Sequence, residues 1–236
     1  CATSYYLTDR WGWFRLNRYV GYVAMTGAAA VALGDFLSYL PVQQLLDADY
    51  TFVNQALAEW YGLPGVGNGW SLVSLADTTR RGLLHHASWL GHSQFPEDQH
   101  YARRGTLPSR LICKPVPPPP PEIFETLEEI LVMGGTPREQ MEGYTARPTC
   151  DGCHAVLNPV AFSFDHYDGW GQYRTTFSTG APIDASGEVK LLNGEYYEFK
   201  DSAELVTKLA ASDAYIDCFR QTWVGGAVGL SAEDAS

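Results

Sequence analysis

Five consecutive prolines at 117–121, in the run KPVPPPPPEI, constrain this 236-residue chain more than any other stretch. Proline has no backbone N–H and holds φ near about −65°, so the run reads as an extended, stiff strut. The strut divides the chain into a poorly assigned N-terminal segment (1–48), a helical module ending in the prolines (49–121) and a second module (122–236). As a connection it is a linker; a sharper reading makes it a docking strap or a ligand for an aromatic groove.

Local signals predict helices on both sides. Residues 51–61 (TFVNQALAEWY) place Val53, Leu57 and Trp60 on one helical face, with Gly62 and Pro64 as the stop. Residues 80–91 (RRGLLHHASWLG) repeat the pattern and turn His85 and His86 in different directions, one of them inward. A third helical stretch near 109–114 runs into the strut. Beyond it, Thr136-Pro137-Arg138-Glu139 has a capping Thr, Pro at the first helical position and Glu three residues after the cap. That helix should run to about Tyr144 and stop before Pro148. Asn193-Gly194 predicts a hairpin in a small β excursion, and helices at 201–211, capped by Asp201, and 214–224 close the chain before Gly225-Gly226.

The helix from Thr136 delivers the chain to Cys150-Asp151-Gly152-Cys153-His154. Two cysteines two residues apart, followed at once by histidine, have the spacing that attaches a c-type haem: the thiols form thioethers and the adjacent imidazole reaches the iron. Gly152 in the spacer suits a tight backbone. Zinc would need two more ligands at similar spacing, and Cys1, Cys113 and Cys218 stand alone. A thioredoxin-like pair would follow a strand rather than a helix, and a disulfide between Cys150 and Cys153 would close a small, strained loop. Those readings stay open behind haem.

The sixth iron position has several candidates. Methionine occurs only at Met25, Met133 and Met141, all before the motif, and His166 is the only histidine after it. His85, His86, His92 and His100 complete the set; Met141 and His100 lead it, the latter in the polar run FPEDQHYARRG. Asp165 and Asp168 hint at calcium but lack a full oxygen-ligand loop, so a turn is the reading there.

Sixteen basic against 27 acidic residues leave a net charge of −11, which disfavours nucleic acid and anionic membranes as partners. The apolar run at 20–33 is too short for a membrane span and reads as a buried helix, with membrane contact as the alternative. The sequence begins on Cys1, which predicts either a mature lipoprotein acylated there or a fragment of a longer chain. Cys113 and Cys218 are either a disulfide of an oxidising compartment or two buried thiols.

From Asp49 onward the chain resembles the C-terminal modules of the Planctomycetes-type cytochrome c-like family. The stretches that carry the likeness are ADYTFVNQALAEWYGLPG, RRGLLHHASWLGHS, RRGTLPSRLICKPVPPPPP, PTCDGCHAVLNPVAFSFDHYDGWGQYR, PIDASGE and CFRQTWVGGAVG, in the family's order. The resemblance implies a mainly α fold: a helical cytochrome c-like module with a small β-hairpin excursion and a polyproline strut. It also implies an extracytoplasmic setting, periplasmic or cell-surface, and one covalent haem c on Cys150, Cys153 and His154. It places Cys113 and Cys218 where relatives carry cysteines, which favours their bond. Tyr144 departs from the pattern, standing where relatives often have histidine six residues before the first motif cysteine.

The expected function is electron transfer, with redox partner proteins in a larger complex and membrane association through Cys1 or residues 20–33. This makes the chain an electron carrier rather than a catalyst. A peroxidase-like haem enzyme with an open distal site and a non-catalytic recognition or scaffold module are the alternatives.

Overall fold

Short polar side chains set the element boundaries of the structure, a computed structural model that describes residues 42–91, 101, 104–106, 134–190 and 194–228. After α1 (Gln44–Asp47) comes β1 (Tyr50–Val53), and Asn54 then caps α2 (Gln55–Tyr61) by accepting from the Leu57 N–H at 2.9 Å. Gly62 ends α2 in the left-handed region, at φ 69°. Residues 51–53, expected to be helical, are therefore a strand. Thr51 and Val53 turn inward, and the run pairs antiparallel with β2 (Ser71–Ser74), Tyr50 opposite Ser74. Two β-branched residues flanking Phe52 suit a half-buried ribbon.

The continuous helix expected over 80–91 is also replaced. A 3-10 turn at Leu83–His85 is followed by extended backbone at His86 and then α3 (Ala87–Leu90). The His85 carbonyl, which a continuous helix would give to the Trp89 N–H, instead accepts from the Arg80 guanidinium at 2.8 Å, while Trp89 turns to His86.

The capping box forms as expected: Thr136 accepts from the Glu139 N–H, and the Glu139 carboxylate accepts from the Thr136 N–H at 2.7 Å, opening α4 (Pro137–Thr145). Pro148 then starts a helix of its own. It occupies the first turn of α5 (Pro148–Phe162), so the cysteine motif lies inside a helix and not merely after one. β3 (Gly187–Lys190) and β4 (Tyr196–Phe199) form the expected hairpin, with Gly194 at φ 89° between them. Asp201 caps α6 (Ser202–Ala210) through the Glu204 N–H. The last helix, α7 (Asp213–Val228), runs through Gly225-Gly226, where a stop was expected. Glycine weakens a helix by only about 1 kcal/mol and removes no donor.

These elements bury one main core. Leu205, Val206, Leu209 and Ala210 of α6 meet Val160 of α5 and Phe164 just beyond it, Val189 and Phe199 of the hairpin, and Leu46, Leu84 and Leu90 from earlier in the chain. A second cluster joins Val53, Leu57, Ala58 and Tyr61 to Ala87. The proline run, residues 20–33 and the stretch 109–114 lie outside the described residues. Among the described residues no helix is long and apolar enough to cross a membrane.

Two buried arginines fasten the segment that follows α5. Arg104 donates to the carbonyls of Leu90 (3.0 Å), Phe164 (3.0 Å), Tyr167 (2.6 Å) and Asp168 (2.5 Å). Arg80 donates to Gly171 O at 2.6 Å and lies over the rings of Tyr61 and Tyr167. Burial lowers the Arg104 pKa to about 10, which leaves it charged at neutral pH. Burial raises Asp165 to about 8 against the pull of Arg104, Arg174 and Arg138.

Gly105 lets this arginine segment approach α5: a Cβ there would lie 2.6 Å from the Leu157 carbonyl oxygen, whereas one on Gly152 would meet nothing within 4 Å. The glycine of the motif spacer is therefore not required by its backbone. Gly105→Ala should destabilise the chain by about 1–3 kcal/mol through overpacking. Gly152→Ala should stabilise it by roughly 0.5–1 kcal/mol, because alanine favours an exposed helix. Urea unfolding of the two variants checks the opposite signs.

His85 and His86 are both buried. Desolvation first, with nearby Arg80 adding repulsion, lowers His85 to about 3 and His86 to about 4 from 6.5. Depressed values mean that the two rings favour the folded state above about pH 6.5, and that this contribution is lost as pH falls toward 4 and then 3. Asp165, being raised, acts in the opposite sense between about 4 and 8. The thermal midpoint of His85→Gln should therefore fall less steeply than wild type between pH 6.5 and 4; equal slopes would contradict a buried neutral His85.

Candidate functional site

Helix α5 carries the whole motif on its first two turns. At about 100° per residue, positions 150, 153 and 154 fall within an arc of about 100°, so both thiols and the imidazole share one face. Cys150 is buried and Cys153 partly exposed, and both are free thiols. Pro148 suits this turn because the first N–H groups of a helix have no partner within it.

His154 is held from the next turn. Its Nδ1 lies 2.8 Å from Asn158 Oδ1, and Asn158 Nδ2 donates to Thr145 Oγ1, also at 2.8 Å. The Thr145 hydroxyl in turn donates to the Met141 carbonyl of α4 at 2.7 Å. The His154 Nε2 has no partner among the described residues. A cleft of about 330 Å³ opens on this side of α5, with His154, Asn158 and Phe162 on one wall, Glu142 and Thr145 of α4 on another, and Gly187 and Glu188 of β3 completing it. His154 thus lies where the thiol face and the cleft wall meet. Arg138 closes one end, tied to Glu142 at 2.9 Å and to the carbonyls of Asp184 and Ser186.

The donor set fits a covalently attached haem. Two unpaired thiols can form thioethers, and an imidazole with one nitrogen hydrogen-bonded and the other open can bind iron. Among the described residues no three His, Cys, Asp or Glu side chains are grouped to hold a metal ion.

The other candidate residues are placed as follows. Met141 packs against Tyr101, Ala161 and Phe162. His85 bonds Arg81 O through Nδ1 and Ser202 Oγ through Nε2, so both its nitrogens are engaged in the core. His86 is buried at the start of α3, its Nδ1 without a hydrogen bond. His166 stacks on Tyr173 and bonds Arg174 O. Asp168 takes the N–H groups of Trp170 and Gln172, which is the turn expected of it, and Asp165 is buried beside the arginines. Tyr144 is buried under the Arg147 guanidinium. Cys218 is buried and disulfide-bonded, its partner outside the described residues. Cys1, Met25, His92, His100, Cys113 and Met133 also lie outside them.

Sequence reasoning missed Asn158 and Thr145. The signal for Asn158 is its place four residues after His154, which becomes meaningful only once 148–162 is known to be helical.

Residues 80–177 match the model of the PSCyt3 family, described as a protein of unknown function (DUF1588), a Planctomycete cytochrome c-like domain family. The matched span is less than half of the chain and holds the motif, Thr145, Asn158, Arg80 and Arg104. No curated protein matches the chain, and no solved structure does.

Proposed function

We propose that this chain is an extracytoplasmic monohaem c-type cytochrome subunit that passes single electrons within a larger redox assembly. The observation that carries the reading is the shared face of α5, where two free thiols stand beside a half-engaged imidazole that itself lines a cleft. The match of the surrounding residues to a cytochrome c-like domain family supports it.

Cys150 and Cys153 would hold haem c by thioether bonds, and His154 would bind its iron through Nε2. The group, when bound, supplies one-electron exchange between Fe(II) and Fe(III). Covalent attachment keeps the cofactor outside the cytoplasm. Asn158 holds the imidazole ring, and Phe162 gives the cleft an apolar wall. Met141 or His100 is the proposed ligand for the sixth position. Cys113 is the proposed partner of Cys218, and Cys1, with residues 20–33, the proposed membrane contact. The net charge of −11 favours redox partners with basic surfaces over nucleic acid.

Produced where haem c can be attached, the full chain should keep its colour through acid–acetone extraction and give a c-type pyridine haemochrome spectrum. The double variant Cys150→Ala with Cys153→Ala should lose that retained colour. A wild-type chain that is colourless, or whose pigment leaves with the solvent, would overturn the proposal.

A further inference from the structure

We infer that Thr145 and Asn158 are positioning residues that hold His154 in a single tautomer, with the proton on Nδ1 and a bare electron pair on Nε2. The tautomer follows from hydrogen-bond polarity alone; its consequence for an axial ligand rests on the haem reading above.

The polarity starts at a group with no choice. The Met141 carbonyl can only accept, so the Thr145 hydroxyl spends its single proton there, at 2.7 Å. Thr145 Oγ1 must then accept from its other partner, which requires the amide nitrogen of Asn158 to face it, at 2.8 Å. That orientation turns Asn158 Oδ1 toward His154. An amide oxygen can only accept, so the ring nitrogen 2.8 Å away, Nδ1, is the donor. A neutral imidazole carries one N–H, which leaves Nε2 with its electron pair.

Burial keeps this relay intact. Thr145 is 3% and Asn158 8% exposed, so water competes poorly for either group. The relay also crosses between helices, since Met141 and Thr145 belong to α4 and His154 and Asn158 to α5. The packing of the two helices therefore sets the protonation pattern of a motif residue. For a histidine bound to iron, a hydrogen bond from the other nitrogen raises ligand basicity and fixes the ring.

Two readouts on the full chain test the assignment. Nitrogen-15 spectra of the imidazole in haem-free protein, taken where the ring is neutral, should show wild-type His154 as the Nδ1–H tautomer alone. Asn158→Leu should lose that preference, Thr145→Val should give a mixture because the amide can now rotate, and Thr145→Ser should restore the wild-type pattern. In the haem-loaded protein Asn158→Leu should shift the reduction potential to more positive values. Should Asn158→Leu fail to fold, the Val and Ser variants of Thr145 carry the comparison. An Nε2–H tautomer in wild type, or one tautomer unchanged across Asn158→Leu and Thr145→Val, would overturn the inference. A chain that never takes up haem yet shows the Nδ1–H tautomer would overturn the haem reading and uphold this one.

Discussion

The Arg104 guanidinium is the constraint on which the rest of the structure depends. It is buried, still charged, and spends its donors on carbonyls of Leu90, Phe164, Tyr167 and Asp168. Among the described residues the Leu90 and Tyr167 carbonyls accept from the arginine alone, so without it each would be buried without a partner, at a cost of about 1–3 kcal/mol apiece, while those of Phe164 and Asp168 also accept from the N–H groups of Tyr167 and Gly171. Arg80 does the same for Gly171 and His85. Irregular backbone can therefore pass through the core, and Phe164 and Tyr167 can sit among the leucines of α6.

Helix α5 is fastened at both ends as a result. Its C-terminal end runs into the arginine-held segment, and Gly105 brings that segment against the Leu157 carbonyl. Its motif end is tied to α4 through Asn158 and Thr145. A cofactor attached at Cys150 and Cys153 would thus meet a preset surface. That suits electron exchange, in which a rigid surround keeps the two oxidation states close in structure.

Sequence signals were legible where they act within one turn. The Thr136 capping box, the Asp201 cap and the β3–β4 hairpin each need only neighbours a few residues away. Cys150, Cys153 and His154 share one face of α5 for the same short-range reason, because their spacing spans about one helical turn. Pro148 was ambiguous, because proline both ends one helix and begins another. Arg80 and Arg104 gave no signal: arginine is ordinarily a surface residue, and the Phe164 carbonyl bonded by Arg104 lies 60 positions along the chain. The strand at 50–53 was hidden because its partner at 71–74 follows a glycine-rich loop, while its own apolar spacing also fits a helix.

The most direct measurement is the mass of the peptide spanning 148–162, released by proteolysis from the mature full-length protein and treated with an alkylating reagent. The account predicts one haem on that peptide and both cysteines blocked to alkylation. A peptide of plain polypeptide mass, with Cys150 and Cys153 alkylated or joined to each other, would contradict it.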